Sequence, residues 1–235
     1  MTGERLELAG VPRVEVELRR SPRARRLSLR ISRLDGRVTL TAPPHVPAAE
    51  LDAFLQERGD WVRDHLGSTP PPVLVAPGAR LPVEGEALRI VAARVRKAER
   101  QGSELRVRAE RAGPQVRAWL TALARGRLAE RCDLYAGRLG RSYSELALRD
   151  TRSRWGSCSS GGRLMFSWRL IMAPRQILDY VAAHEVAHLA EMNHSAAFWA
   201  EVARLHPGYA GDRRWLRENG AWLHRYRFGG EDKGT

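Results

Sequence analysis

Apolar and polar residues alternate in two runs near the start of the chain. Val14, Val16 and Leu18 alternate with Glu15 and Glu17, and Leu27, Leu29 and Ile31 alternate with serine and arginine. A period of two gives an extended chain one apolar face, so both runs predict strands. Asp35-Gly36 followed by Val38 and Leu40 predicts that the second run turns back as a β-hairpin. Pro43-Pro44 breaks the pattern. From 47 to 66 the apolar positions Leu51, Phe54, Leu55, Val62 and Leu66 take helical spacing, with Pro47 suited to the first turn and Gly67 to the stop. Residues 68–72 read as a loop, and short strands are expected at 73–75, 81–83, 87–91 and 105–107.

The second half is richer in helix. Pro114 opens a helix reaching about Leu139, with a stripe of Leu120, Ala124, Leu128, Cys132, Tyr135 and Leu139, and Gly140 ends it. Leu146 and Leu148 begin a strand. Gly161-Gly162 predicts a turn between two extended arms, the second alternating through Leu164, Phe166, Trp168 and Leu170. Ala173-Pro174 stops that arm, and a helix begins near Arg175. Ser195 is the expected N-cap of the next helix, whose inner stripe is Phe198, Trp199, Val202 and Leu205. Asp212 is expected to cap a last helix with Trp215, Leu216, Trp222 and Leu223 inward. The segments group into an N-terminal β-rich region at 1–112 containing the 47–66 helix, a second domain at 113–228, and a polar tail at 229–235 expected to be disordered.

Composition narrows the setting. The chain has 235 residues, 43% hydrophobic and 29% charged, enough for one large domain or two small ones. No apolar run approaches the roughly 18 residues of a membrane span, and the N-terminus lacks the apolar core of a signal peptide. The two cysteines, Cys132 and Cys158, exclude a disulfide scaffold, and a reducing, cytoplasmic location is expected. Net charge is +13. Lys97 and Lys233 are the only lysines, so the preference for arginine is compositional bias, but the excess of basic over acidic residues is not. Arg19, Arg20, Arg23, Arg25, Arg26 and Arg30 form the densest basic stretch, with no aromatic residue before Phe54. A stacking platform for single-stranded bases is therefore missing, and what remains is nonspecific contact with nucleic-acid phosphates, weighed against a solvated strand face.

The chemistry concentrates between Tyr180 and Trp199. Three of the seven histidines fall there: His184 and His188 in His-Glu-x-x-His, and His194 six residues on. Residues four apart share one face of a helix, so His184 and His188 are placed to hold one metal ion, with Glu185 beside them to act on a water. Asn193 tolerates the left-handed conformation that ends helices, and a turn there would return His194 as third ligand. Three protein ligands and one open position is the catalytic type of zinc site. Glu191, Glu201 and Glu218 are the competing third ligands: Glu191 would have to reach back across a turn, Glu201 lies beside an apolar stripe, and Glu218 lies on the last helix. The small and apolar neighbours Val181, Ala182, Ala183, Val186 and Ala187 predict a buried helix, where two histidines and a glutamate are costly without a partner.

The motifs together resemble the YgjP-like zinc metallopeptidases, relatives of the SprT-like and WLM proteases. They are R-x-R-W-G-S-C-S from Arg152, R-L-I-x-A-P from Arg169, D-Y-V-x-x-H-E-x-x-H from Asp179 and N-H-S-x-x-F-W from Asn193, with a similar opening around Arg19 to Pro43. The resemblance implies an α+β, zincin-type catalytic domain: an active-site helix and a small sheet, preceded here by the β-rich region. It carries zinc ligation onto His184, His188 and His194 and the general base onto Glu185. Ser167 stands where many relatives have Asn, and Glu191 stands where the metzincin pattern has Gly. The expected activity is hydrolysis of a protein or peptide substrate, with Glu185 moving the proton. Tyr209, His206 and Arg213 are candidates to stabilise the oxyanion, and the arm 163–170 is a candidate edge for an extended substrate. Cys158 is weighed as a thiolate reaching the metal against an ordinary buried thiol. The alternatives are a DNA-associated protease and a nucleic-acid-binding zinc module with weak or no hydrolysis.

Overall fold

The computed structural model describes residues 4–32, 36–67 and 71–229. The chain forms two compact units, Met1–Pro72 and Val73–Thr235. The division falls at Pro72, so the strands between 73 and 107 belong with the second unit, and the expected boundary at 112 lies inside it. The reason is packing: Val75, Leu81, Val83, Leu88, Ile90, Leu105 and Val107 share one core with the long helix and the histidine-bearing helix.

In the first unit, β1 (Glu4–Leu8), β2 (Val14–Arg20), β3 (Ser28–Ile31) and β4 (Val38–Ala42) form a sheet of order β1-β2-β4-β3. The hairpin β3–β4 is antiparallel, while β2 runs parallel to β4. Gly36 takes φ 70° between them; Asp35 lies outside the described residues. Val14, Val16, Leu18, Val38 and Leu40 are buried against Leu51, Leu55 and Val62. The single expected helix is two, α1 (Ala48–Glu57) and α2 (Gly59–Gly67), broken at Arg58. Gly59 is a weak helix former, and it lets Leu8 and Arg63 approach its backbone.

In the second unit, β5 (Val73–Leu74) pairs in parallel with a C-terminal strand, Tyr226–Arg227. Next, β6 (Arg80–Val83), β7 (Glu86–Ala92), β8 (Glu99–Gln101) and β9 (Glu104–Val107) form a sheet of order β6-β7-β9-β8. The helix α3 (Ala112–Leu139) buries Leu120, Ala124, Leu128, Cys132 and Tyr135, and ends at Gly140 with φ 65°. A fully buried leucine among these contributes about 1.5–3 kcal/mol. β10 (Glu145–Arg149), β11 (Gly156–Cys158) and β12 (Arg163–Ser167) make a sheet of order β10-β12-β11. β12 is therefore central, paired on both sides, and the edge strands are β10 and β11, not the 163–170 arm.

That arm also stops short of Leu170. Residues 168–172 coil into a 3-10 helix in which all five side chains are buried, including Arg169. An alternating strand would have turned Arg169 outward; instead its guanidinium donates to Asp150 and to the carbonyls of Leu223 and Tyr226. The helix α4 (Arg175–Ala187) packs along α3, and α5 (Ala196–Leu205) and α6 (Tyr209–Asn219) follow. Ser195 accepts from the Phe198 N–H as the N-cap of α5. Asp212 lies within the first turn of α6, not at its cap, and Trp222 is 54% exposed rather than inward. Residues 230–235 of the tail lie outside the described residues. No helix among the described residues is long and apolar enough to cross a membrane.

Candidate metal centre

The last turns of α4 carry His184 and Glu185, and His188 caps its C-terminus. The helix ends at Ala187, earlier than Asn193. Past that end, the Leu189, Ala190 and Glu191 N–H groups still donate to the carbonyls of Val186 and Ala187. Asn193 is not left-handed: among the described residues Glu84 is the one non-glycine with positive φ. The Asn193 side chain instead accepts from the Ser195 N–H at 3.1 Å, and this local turn presents His194.

The three histidines come together as the one group among the described residues able to hold a metal through three ligands, their ligand atoms all within 4.8 Å. His184 Nε2 and His194 Nε2 approach to 3.2 Å. His188 Nδ1 donates to the Glu191 carbonyl at 2.9 Å, which leaves its Nε2 as a lone pair. Phe198, fully buried, is their common floor: its ring centroid lies 4.9, 4.4 and 4.9 Å from those of His184, His188 and His194. Burial, then the neighbouring His188, His194 and Arg213, push His184 down to about 3, and burial also lowers His188. Imidazole nitrogens converging on one point fit a metal cation. The Nδ1 of His184 is buried without a hydrogen-bond partner.

Glu185 points elsewhere. Its side chain is 5% exposed and lies against β11: a Cβ built on Gly156 would sit 2.5 Å from its Cγ and Oε1. Burial pushes its carboxyl up to about 8, against the pull of Arg154. The carboxyl group thus lies against β11 of the small sheet. Gly156 and Arg154 are site residues that sequence reasoning passed over; the short R-W-G run before β11 was their signal.

The three oxyanion candidates separate. His206 is occupied, 2.6 Å from Asp212. Tyr209 stacks on Trp199 at 5.4 Å, and the Arg213 guanidinium lies 4.6 Å over the same ring. Trp199 in turn stacks on His194. Glu201 pairs with Arg204, and Glu191 and Glu218 do not join the triad's cluster. Cys158 is half-buried, burial and the nearby Glu185 charge raise its pKa, and it does not join the histidine cluster.

A family model described as the YgjP-like metallopeptidase domain matches residues 25–219. No curated protein matches the chain. Among solved structures, the crystal structure of the metallopeptidase zymogen of Pyrococcus abyssi abylysin is similar at 20% identity, over 39% of this chain and 93% of that one, with a TM-score of 0.35.

Proposed function

The chain belongs to the YgjP-like metallopeptidase family, whose members act with a metal ion, and we propose on that footing that it is a zinc-dependent peptidase. His184, His188 and His194 hold the ion, and Glu185 is the general base. The observation that carries this reading is the convergence of three imidazoles, two of their nitrogens 3.2 Å apart. Two nitrogens bound tetrahedrally to one zinc at about 2.0–2.1 Å would lie about 3.3–3.4 Å apart, close to that spacing.

Zinc bound there would supply Lewis-acid activation of a water and of the scissile carbonyl. The chain's own residues supply the rest. Glu185 takes a proton from the attacking water and returns it to the leaving amine. Gly156 leaves room for that carboxylate, and β11 is an edge strand, along which an extended peptide pairs. Tyr209 and Arg213, both anchored on Trp199, are the remaining oxyanion donors. Cytoplasmic conditions suit two unpaired thiols, Cys132 and Cys158.

Treatment with a chelator is expected to abolish cleavage of an unfolded protein substrate, and added zinc to restore it. Cleavage that persists after complete removal of metal would overturn the proposal.

A further inference from the structure

The positive charge of the chain is concentrated in the unit that holds the histidines. Residues 73–235 carry 28 basic and 17 acidic side chains, a net of +11, whereas residues 1–72 carry 12 and 10. Some arginines of the second unit pair with carboxylates: Arg127, Arg131, Arg163, Arg169, Arg175 and Arg204 each have one. Three around the triad do not.

Arg141 lines an open groove of about 630 Å³ together with Ser142, Ser159, Ser160 and His188. Arg154 lies two residues before Gly156, the residue against Glu185. Arg213 lies over Trp199, which stacks on His194. All three are exposed and none forms a salt bridge among the described residues, although the charge of Arg154 is felt at Glu185. The nearby Asp212 and Glu201 are taken by His206 and Arg204. Glu191, half-buried after His188, is the opposing charge on that loop.

From this arrangement, and resting on the peptidase reading, we propose that the substrate is an acidic peptide segment. Aspartate or glutamate side chains on the two sides of the scissile bond meet Arg141 on the His188 side and Arg213 on the Trp199 side, with Arg154 near Glu185. A peptide fits better than a nucleic acid. The edge of β11 offers backbone hydrogen bonds, and the groove offers serine hydroxyls. The aromatic ring at the site, Trp199, already has His194, Tyr209 and Arg213 on it, so it is not an open stacking platform.

The test uses fluorescent peptides with Asp and Glu flanks, their isosteric Asn and Gln counterparts, and a single-stranded oligonucleotide. Binding is read by anisotropy at low salt for the full chain, for Arg141→Gln, Arg213→Gln and the double variant, and for Arg111→Gln. Arg111 lies at the opposite end of the 28-residue α3 from Arg141. The acidic peptide is expected to bind about tenfold tighter than the amide peptide, each site variant removing up to about fivefold, the order of an exposed ion pair. The difference should shrink as salt rises, and Arg111→Gln should leave it unchanged. Equal binding of the two peptides, or an undiminished difference in the double variant, would overturn the proposal. So would an oligonucleotide that binds more tightly than the acidic peptide and is lost in the double variant. Acidic preference in binding without any cleavage would count against the peptidase reading alone, and equal cleavage of both peptides against acidic specificity alone.

Discussion

At the scale of single residues, the site depends on where each donor's lone pair is aimed. His184 and His188 share a face because they are four apart on a helix, which is why that pair was legible in the sequence. The route to His194 was not. It runs through an Asn193 side-chain turn and the His188 ring donating to the Glu191 carbonyl, contacts that residue spacing does not encode. Gly156 stood inside a quoted motif, but its role was not legible, because that role is the absence of a side chain beside Glu185. Gly156→Ala is therefore expected to displace the Glu185 carboxylate and to lower peptide cleavage by about 10- to 100-fold while metal content stays at the wild-type level. Turnover equal to wild type would show that the close approach at Gly156 has no bearing on the base.

At the scale of elements, two caps and a turn hold the ligands in register. Ser195 fixes the start of α5 directly after His194. Ser195→Ala should cost about 1 kcal/mol in denaturant unfolding and weaken metal binding as well; unchanged stability would remove the cap from the account. Behind α4, Glu84 sits at φ 52° in the β6–β7 turn and receives Arg127 from α3 and Arg175 from the start of α4. Burial works against its charge, but the two guanidiniums prevail and hold its carboxyl below the usual range. A carboxyl depressed by folding stabilises the protein above its unfolded pKa, and that contribution fades as pH falls through the folded value. Glu84→Gln should thus cost about 1 kcal/mol near pH 7, with the difference from wild type narrowing below about pH 4. A difference that widens toward acid would contradict the assignment. The tie was not legible, since it joins positions 43 and 91 residues apart. The strand ending at Ser167 was misjudged for a related reason. The apolar alternation continues, but burial of Arg169 on Asp150 and two distant carbonyls bends the backbone into a 3-10 turn.

At the scale of the whole molecule, periodicity revealed the element types and most of the core, and the joint motifs revealed the family. It did not reveal the division at Pro72, because the short strands of 73–107 read as N-terminal β structure until their side chains are seen in the core of α3 and α4. Nor did local arginine density reveal where net charge lies. Arg5, Arg13, Arg20 and Arg37 of the first unit all face glutamates. DNA binding through that unit is accordingly expected to be weak and to fall steeply with salt, as phosphate contacts do; a tight, salt-insensitive, sequence-selective complex would contradict this. The central claim is that three histidines bind the metal while Glu185, beside them, moves the proton. It is tested most directly by measuring bound zinc and peptide cleavage together in wild type, His188→Ala and Glu185→Gln. The account expects His188→Ala to lose both, and Glu185→Gln to retain zinc and fold while cleavage drops by about a hundredfold or more. Zinc retained in His188→Ala, or undiminished cleavage by Glu185→Gln, would contradict it.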